Sequence, residues 1–243
     1  MMELERLLTA SLDLLLKTYP DRHIILQLSG GCDSAALFFC LQNLKKEFEC
    51  HTYCVEENED FNNTDRFCKA FDVSLVIHKL SIPEVISNIS FLKGKYHFKG
   101  KVNLQCIACH YKIALNVKGS VIINGSYADI LYGSYASIVV PYSHNDNLFR
   151  EERRRLLQRN NIDATDYLRT IMKENNNDII FPFCNPELYD FFLNLNYEEL
   201  KNKSIFYETF RNRIPEGINL KRKSQQIGSG VRDKLKNKGI KYK

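Results

Sequence analysis

Residues 28–34 read Leu-Ser-Gly-Gly-Cys-Asp-Ser and follow the apolar run Ile24-Ile25-Leu26-Gln27-Leu28. Gly30 and Gly31 carry no side chains, so backbone N–H groups there can close around a phosphate chain. Ser29 and Ser34 add hydroxyls. Ser34 opens a helix through Ala35, Ala36, Leu37, Phe38 and Phe39, whose positive end would face the anion. Asp33 would be repelled by bare phosphates, but a Mg²⁺ ion can bridge the two. The spacing is neither the Gly-x-x-x-x-Gly-Lys of a Walker loop nor the Gly-x-Gly-x-x-Gly of a dinucleotide fold. A second candidate set is sulfur-based. Cys106 and Cys109, two residues apart, and the distant Cys184 can present three thiolates to one metal centre. Zinc held by the same cysteines with His110 is the alternative, and buried thiols acting as small hydrophobes is the plainest one.

The elements that must position these residues alternate in the first half of the chain. A helix over about 3–18 leads to a strand at 23–28, the loop, and a helix over about 34–47. Strands follow at 51–55, 74–78 and 121–123, separated by helices near 61–71, 82–91 and from about 106 onward, with a lysine-rich link over 93–101. Strands separated by helices imply an α/β fold, a parallel twisted sheet with flanking helices and right-handed crossovers. The phosphate loop then falls at the carboxyl edge of the sheet, where such folds place ligands. Glu56, Glu57 and Asn58 end the second strand at the same edge and are candidates for adenosine contact. Beyond about 145 the pattern is helical: 150–159, 165–173, 186–195 and 204–213. No linker or internal repeat divides the chain, so a single domain with a helical C-terminal half is expected.

Composition sets the class. A chain of 243 residues can bury one sizeable α/β core. No apolar run approaches the ~20 residues of a membrane span. Acidic residues in Met1-Met2-Glu3-Leu4-Glu5-Arg6, and Asp13 among the leucines, argue against a signal peptide. A cytoplasmic protein without membrane partners is expected, with its eight cysteines as thiols or ligands and not disulfides. Net charge is +5, concentrated in the C-terminal stretch from Lys221-Arg222-Lys223 to Lys241-Tyr242-Lys243. Such a tail can touch RNA, grip nucleotide phosphates or simply be solvated.

The loop resembles the pyrophosphate loop, Ser-Gly-Gly-x-Asp-Ser, of the PP-loop enzymes that split ATP into AMP and pyrophosphate. Over roughly 3–231, leaving 232–243 as a basic tail, the chain resembles the synthetase domain of asparagine synthetases. The family's Ser-Gly-Glu-Gly-x-Asp-Glu-x-Phe-Gly-Gly-Tyr is matched by Asn124-Gly125-Ser126-Tyr127-Ala128-Asp129-Ile130-Leu131-Tyr132-Gly133-Ser134-Tyr135. Its Pro-Phe-Leu-Asp is matched by Pro182-Phe183-Cys184-Asn185. Its closing lysine, Leu-Pro and Arg-x-Lys are matched by Lys203, Ile214-Pro215 and Lys221-Arg222-Lys223. The resemblance implies the adenine nucleotide alpha hydrolase-like fold. It also implies an ATP site on Ser29, Gly30, Gly31, Cys32, Asp33, Ser34 and Gly125, with Mg²⁺ on Asp33 and Asp129. Lys203 and Lys223 would then neutralise the departing pyrophosphate.

The departures redirect the chemistry. The family's glutaminase domain has no counterpart, because Met2 follows Met1 where the nucleophilic cysteine would be exposed. Ser126 stands at the glutamate thought to accept the proton from attacking ammonia, and a hydroxyl is no substitute for a carboxylate base. Ile180 stands at the usual arginine. The three cysteines resemble those of iron–sulfur sulfur transferases that carry pyrophosphate loops and hold a [4Fe–4S] cluster. Cys32, beside the adenylate, is a candidate persulfide carrier. The leading expectation is therefore adenylation of a substrate oxygen and its replacement by sulfur, on a tRNA base or a small molecule. A sulfur or ammonia donor protein is a candidate partner, and the alternatives are an amide ligase using free ammonia, a partner-supplied nitrogen or an amine of its own substrate, and a nucleotide-binding protein without catalysis.

Overall fold

The computed structural model describes residues 2–55, 59–158 and 164–220. Helix α1 (Glu3–Leu16) buries Leu4, Leu7, Leu8, Leu12 and Leu16, the spacing of one helical face. Strand β1 (His23–Gln27) then enters the sheet and the loop passes into α2 (Cys32–Asn43). Helix α2 is buried from Cys32 to Leu41 apart from Asp33, because α1, α12 and the sheet all pack on it. Phe38 and Phe39 pack there edge-on or tilted against Phe67 and Phe71, and Phe39 stacks on Phe210. Next come β2 (Glu49–Cys54), α3 (Glu59–Ala70), β3 (Leu75–Lys79), α4 (Ile82–Tyr96), α5 (Lys101–Asn116) and β4 (Ser120–Ile123). The helical half contributes α6 (Ala128–Leu131), α7 (Ala136–Tyr142), α8 (Asp146–Leu157), α9 (Thr165–Glu174), β5 (Asp178–Ile180), α10 (Pro186–Leu193), α11 (Tyr197–Leu200) and α12 (Ser204–Phe210). Short 3₁₀ turns at Lys201–Lys203 and Arg211–Arg213 flank α12.

The sheet is parallel throughout, in the order β3-β2-β1-β4-β5. Two differences from the sequence reading concern the sheet and its links. Strand β5 lies inside the half expected to be helical; it is three residues long, and only its pairing of Ile179 and Ile180 with Ile122 and Ile123 makes it a strand. Helix α5 begins at Lys101, so the lysine-rich link shrinks to residues 97–100, where His97 and Gly100 take positive φ values of 56° and 89°. The chain runs from β1 to β2 and β3 on one side and returns to place β4 on the other. The strand order thus reverses between β1 and β4, the position where open α/β sheets leave a crevice at their carboxyl edge.

Helices α1, α2, α10 and α12 pack together on one side, and α4, α5 and α9 form a second group, with α5 on β2 and α9 on β5. One connected set of buried side chains runs from Leu4 to Leu220. Among the described residues, no helix is long and apolar enough to cross a membrane.

Candidate active site

The loop after β1 is drawn into a compact knot. Gly30 takes φ 71°, a conformation open to glycine, and the backbone then enters α2 through Gly31. Ser34 ties the knot: its hydroxyl accepts from the Ser29 N–H at 3.1 Å and donates to the Gly31 carbonyl at 3.1 Å. Its oxygen also lies 3.1 Å from Ser29 Oγ. Helix α2 starts at Cys32, two residues earlier than expected, so Asp33 sits in its first turn. Gly125, at the end of β4, closes against this turn, since a Cβ there would lie 3.4 Å from the Asp33 Cβ.

Asp129 arrives from the neighbouring strand. After β4 the chain turns at Tyr127, whose φ of 76° and ψ of −24° are uncommon for an aromatic residue. In the motif quoted above, that position is a glycine. The left-handed turn aims the start of α6, and with it Asp129, back over the loop. The segment is anchored from behind by Arg153, a fully buried guanidinium that donates to the carbonyls of Leu131, Phe192 and Leu195 at 2.8–2.9 Å. Burial, and then the nearby charge of Arg150, bring the Arg153 pKa down to about 10, so it stays charged at neutral pH.

Lys203 completes the group. Asn202 (φ 55°) and Lys203 (φ 57°) are consecutive non-glycine residues in the left-handed region, at the turn between α11 and α12. That strained turn drives the lysine inward. Its Nζ donates to both carboxylate oxygens of Asp33, at 2.8 and 2.6 Å, and lies 2.8 Å from Asp129 Oδ1. The ammonium also rests 5.0 Å from the centre of the Tyr132 ring. Burial alone would lower its pKa, but the carboxylates of Asp33 and Asp129 outweigh burial and hold it well above the ordinary value. Lys203 therefore remains a cation bridging two carboxylates.

Asp33, Asp129 and Lys203 come from β1–α2, β4–α6 and α11–α12, 170 and 74 residues apart from lysine to each acid, yet they meet at the β1–β4 crevice. Two carboxylates facing one crevice suit a hard cation such as Mg²⁺, which typically takes one or two protein carboxylates and completes its shell from phosphates and water. Lys223 and the candidate adenosine contacts Glu56, Glu57 and Asn58 lie outside the described residues. Sequence reasoning missed Tyr132, under the lysine, and Gln27 and Asn124 on the crevice floor. Asn124 accepts from the N–H and hydroxyl of Ser126 at 2.8 and 2.7 Å and donates to Gln27 Oε1 at 2.5 Å. Ser126 thus spends its hydroxyl proton on a turn.

The sulfur centre is not assembled. Among the described residues no group of three or more His, Cys, Asp or Glu side chains is placed to hold a metal ion. Cys106 and Cys109 lie on α5, whereas Cys184 follows β5 and accepts a hydrogen bond from Tyr189 Oη at 3.0 Å. The Cys109 thiol is buried, donates to the Gln105 carbonyl within its own helix, and is pushed up by burial, then by Cys106. A [4Fe–4S] cluster or zinc on Cys106, Cys109 and Cys184 does not fit this arrangement, and adding His110, which meets the Tyr53 ring edge-on, does not repair it. Cys32 is no better as a persulfide carrier. Burial, and then the charge of Asp33, raise its pKa and keep it a thiol. Cys40, Cys50, Cys54 and Cys68 are buried as packing residues.

No protein-family model matches the chain, and no curated protein does. Among solved structures, an NH3-dependent NAD synthetase from Campylobacter jejuni, in complex with the nitrate ion, is similar over 90% of this chain and 100% of its own at 17% identity, with a TM-score of 0.39. The NAD+ synthetase from Burkholderia pseudomallei is similar over 87% of this chain and 89% of its own at 13% identity, with a TM-score of 0.35. At such scores neither likeness bears on function, and the chain's own site has to carry the reading.

Proposed function

We propose that the chain is an ATP pyrophosphatase-type adenylating ligase of a single domain. It would activate an acceptor carboxylate and let a nitrogen nucleophile, ammonia or an amine, displace AMP. The observation that carries this reading is the Asp33–Lys203–Asp129 constellation above the Ser29–Ser34 loop, at the reversal point of a parallel sheet. The backbone of Gly30, Gly31 and Cys32, the hydroxyls of Ser29 and Ser34, and the close-set Gly125 form the cradle for the phosphates. Asp33 and Asp129 would hold Mg²⁺, which when bound draws electron density from the phosphate oxygens. Lys203, joined by Lys223, neutralises the charge that builds on pyrophosphate as the bond to the α-phosphorus breaks.

Nitrogen replaces sulfur as the favoured nucleophile because the three cysteines that motivated sulfur transfer are not brought together. Ser126 is no general base near neutral pH because a hydroxyl is far too weakly basic, so the proton lost by the attacking nitrogen goes to the departing AMP phosphate or to water. The test supplies Mg²⁺, ATP and ammonium with a panel of amino-acid and nucleotide carboxylates, without iron. AMP and pyrophosphate in equal amounts, dependent on one carboxylate, support the reading. ADP and phosphate would overturn it, and nucleotide binding without any turnover would favour a binding protein.

A further inference from the structure

We propose that, in the nucleotide-free protein, Lys203 occupies the divalent cation's seat between Asp33 and Asp129, and that loading transfers its ammonium from the carboxylates to phosphate oxygens. This rests on the functional reading above and adds an order to it. Three carboxylate oxygens lie within 2.8 Å of the lysine nitrogen: both of Asp33 and one of Asp129. A metal ion bound to these two side chains would draw its oxygens from the same two carboxylates, at roughly 2.0–2.1 Å for Mg²⁺. A second cation placed so near the ammonium would be strongly repelled. Metal and lysine therefore compete until a new set of oxygens is offered to one of them. Phosphates make that offer to the lysine, a flexible point charge able to re-aim its three donors.

The turn that carries Lys203 is built for such a move. Two successive non-glycine residues are held at φ 55° and 57°, a conformation that persists only while something fixes it. The bonds to Asp33 and Asp129 are among the contacts that fix this turn, with the Ser204 hydroxyl on the Glu199 carbonyl closing its base. On its outer side the turn borders an open groove of about 660 Å³, lined by Lys201, Asn202, Ser204 and Tyr207 among others, so the backbone has room to relax. The consequence is that metal alone binds weakly, whereas metal and nucleotide bind together.

The test uses Mn²⁺ as an EPR-visible probe and the full chain, with or without a non-hydrolysable ATP analogue carrying a methylene between its α- and β-phosphates. In wild type, the analogue should tighten Mn²⁺ binding by about tenfold or more, a coupling of ordinary size. In Lys203→Met, Mn²⁺ alone should bind about tenfold tighter than in wild type, and the analogue should tighten it further by a clearly smaller factor than in wild type. Lys203→Gly removes the charge in a residue that takes φ 57° without strain, so it covers a folding failure of the methionine variant. Wild-type protein that binds Mn²⁺ as tightly without the analogue as with it overturns the proposal, as do variants with unchanged or weaker Mn²⁺ affinity. If wild type binds neither Mn²⁺ nor the analogue, the functional reading itself fails.

Discussion

Acidification should destabilise this protein through a buried pair of histidines. Asn116 Nδ2 donates to His78 Nδ1, the His78 and His51 rings share a hydrogen bond, and His51 Nε2 bonds Glu49, each at 3.0 Å. Because the Glu49 carboxylate only accepts, His51 is protonated at Nε2 and must accept from His78 Nε2–H. Both rings are then neutral, and a proton added to His51 Nδ1 would set two N–H groups against each other. Burial, followed by the neighbouring His51 ring and the Lys112 charge, lowers the His78 pKa from 6.5 to about 4. His51 is lowered too, mainly by burial, with Glu49 opposing. The sign follows: on acidification the unfolded chain takes up protons first, so this stability is complete above the unfolded value and is lost as pH falls toward the folded one. The full shift of His78 is worth about 3 kcal/mol. Between pH 7 and pH 5 it removes about 2 kcal/mol of unfolding free energy. Urea unfolding at the two pH values measures this, compared with His78→Gln, whose amide can still donate to His51 but does not titrate. The variant should lose about 2 kcal/mol less than wild type over that interval. Equal losses in both proteins, or an NMR titration of His78 near its ordinary value, would refute the argument.

Three other perturbations are decided by the same structure. Gly133→Ala forces a side chain into φ 64° with its Cβ 2.6 Å from Phe149 Cε2, and should cost about 2–5 kcal/mol from the left-handed backbone and overpacking, read by urea unfolding. Arg153→Met strips two buried carbonyls and a half-buried one of their charged donor and should cost about 3 kcal/mol or more by the same measurement. Cys106→Ala and Cys184→Ala should leave nucleotide binding unchanged, and wild type purified anaerobically should carry only substoichiometric iron. Stoichiometric iron lost in either variant would restore the sulfur centre.

The glycine turn after β1, the first four strands and their helices were legible because each rests on local pattern: alternating apolar runs, the leucine face of α1, glycines at a turn. Strand β5 was not, since Asp178-Ile179-Ile180 is too short to show a period and is defined by a neighbour distant in sequence. Asp33 could be read from the loop itself. Asp129 and Lys203 could be read only through ordered motifs, because what converges them is the sheet reversal and the left-handed Tyr127 and Asn202–Lys203 turns. Cys106 and Cys109 misled for a related reason. Their spacing suits a metal knuckle, but on helix α5 the same spacing buries Cys109 in the core, where its thiol donates within its own helix.

The central claim is that Asp33, Asp129 and Lys203 build a Mg²⁺-dependent ATP site, and calorimetric titration with the methylene ATP analogue tests it most directly. Wild type should bind one analogue per chain only when Mg²⁺ is present, and Asp33→Ala or Asp129→Ala, each still folded by circular dichroism, should weaken binding at least about a hundredfold, as loss of charge-assisted ligands predicts. Binding that ignores both Mg²⁺ and the two aspartates, or no binding by the wild type, would contradict the account.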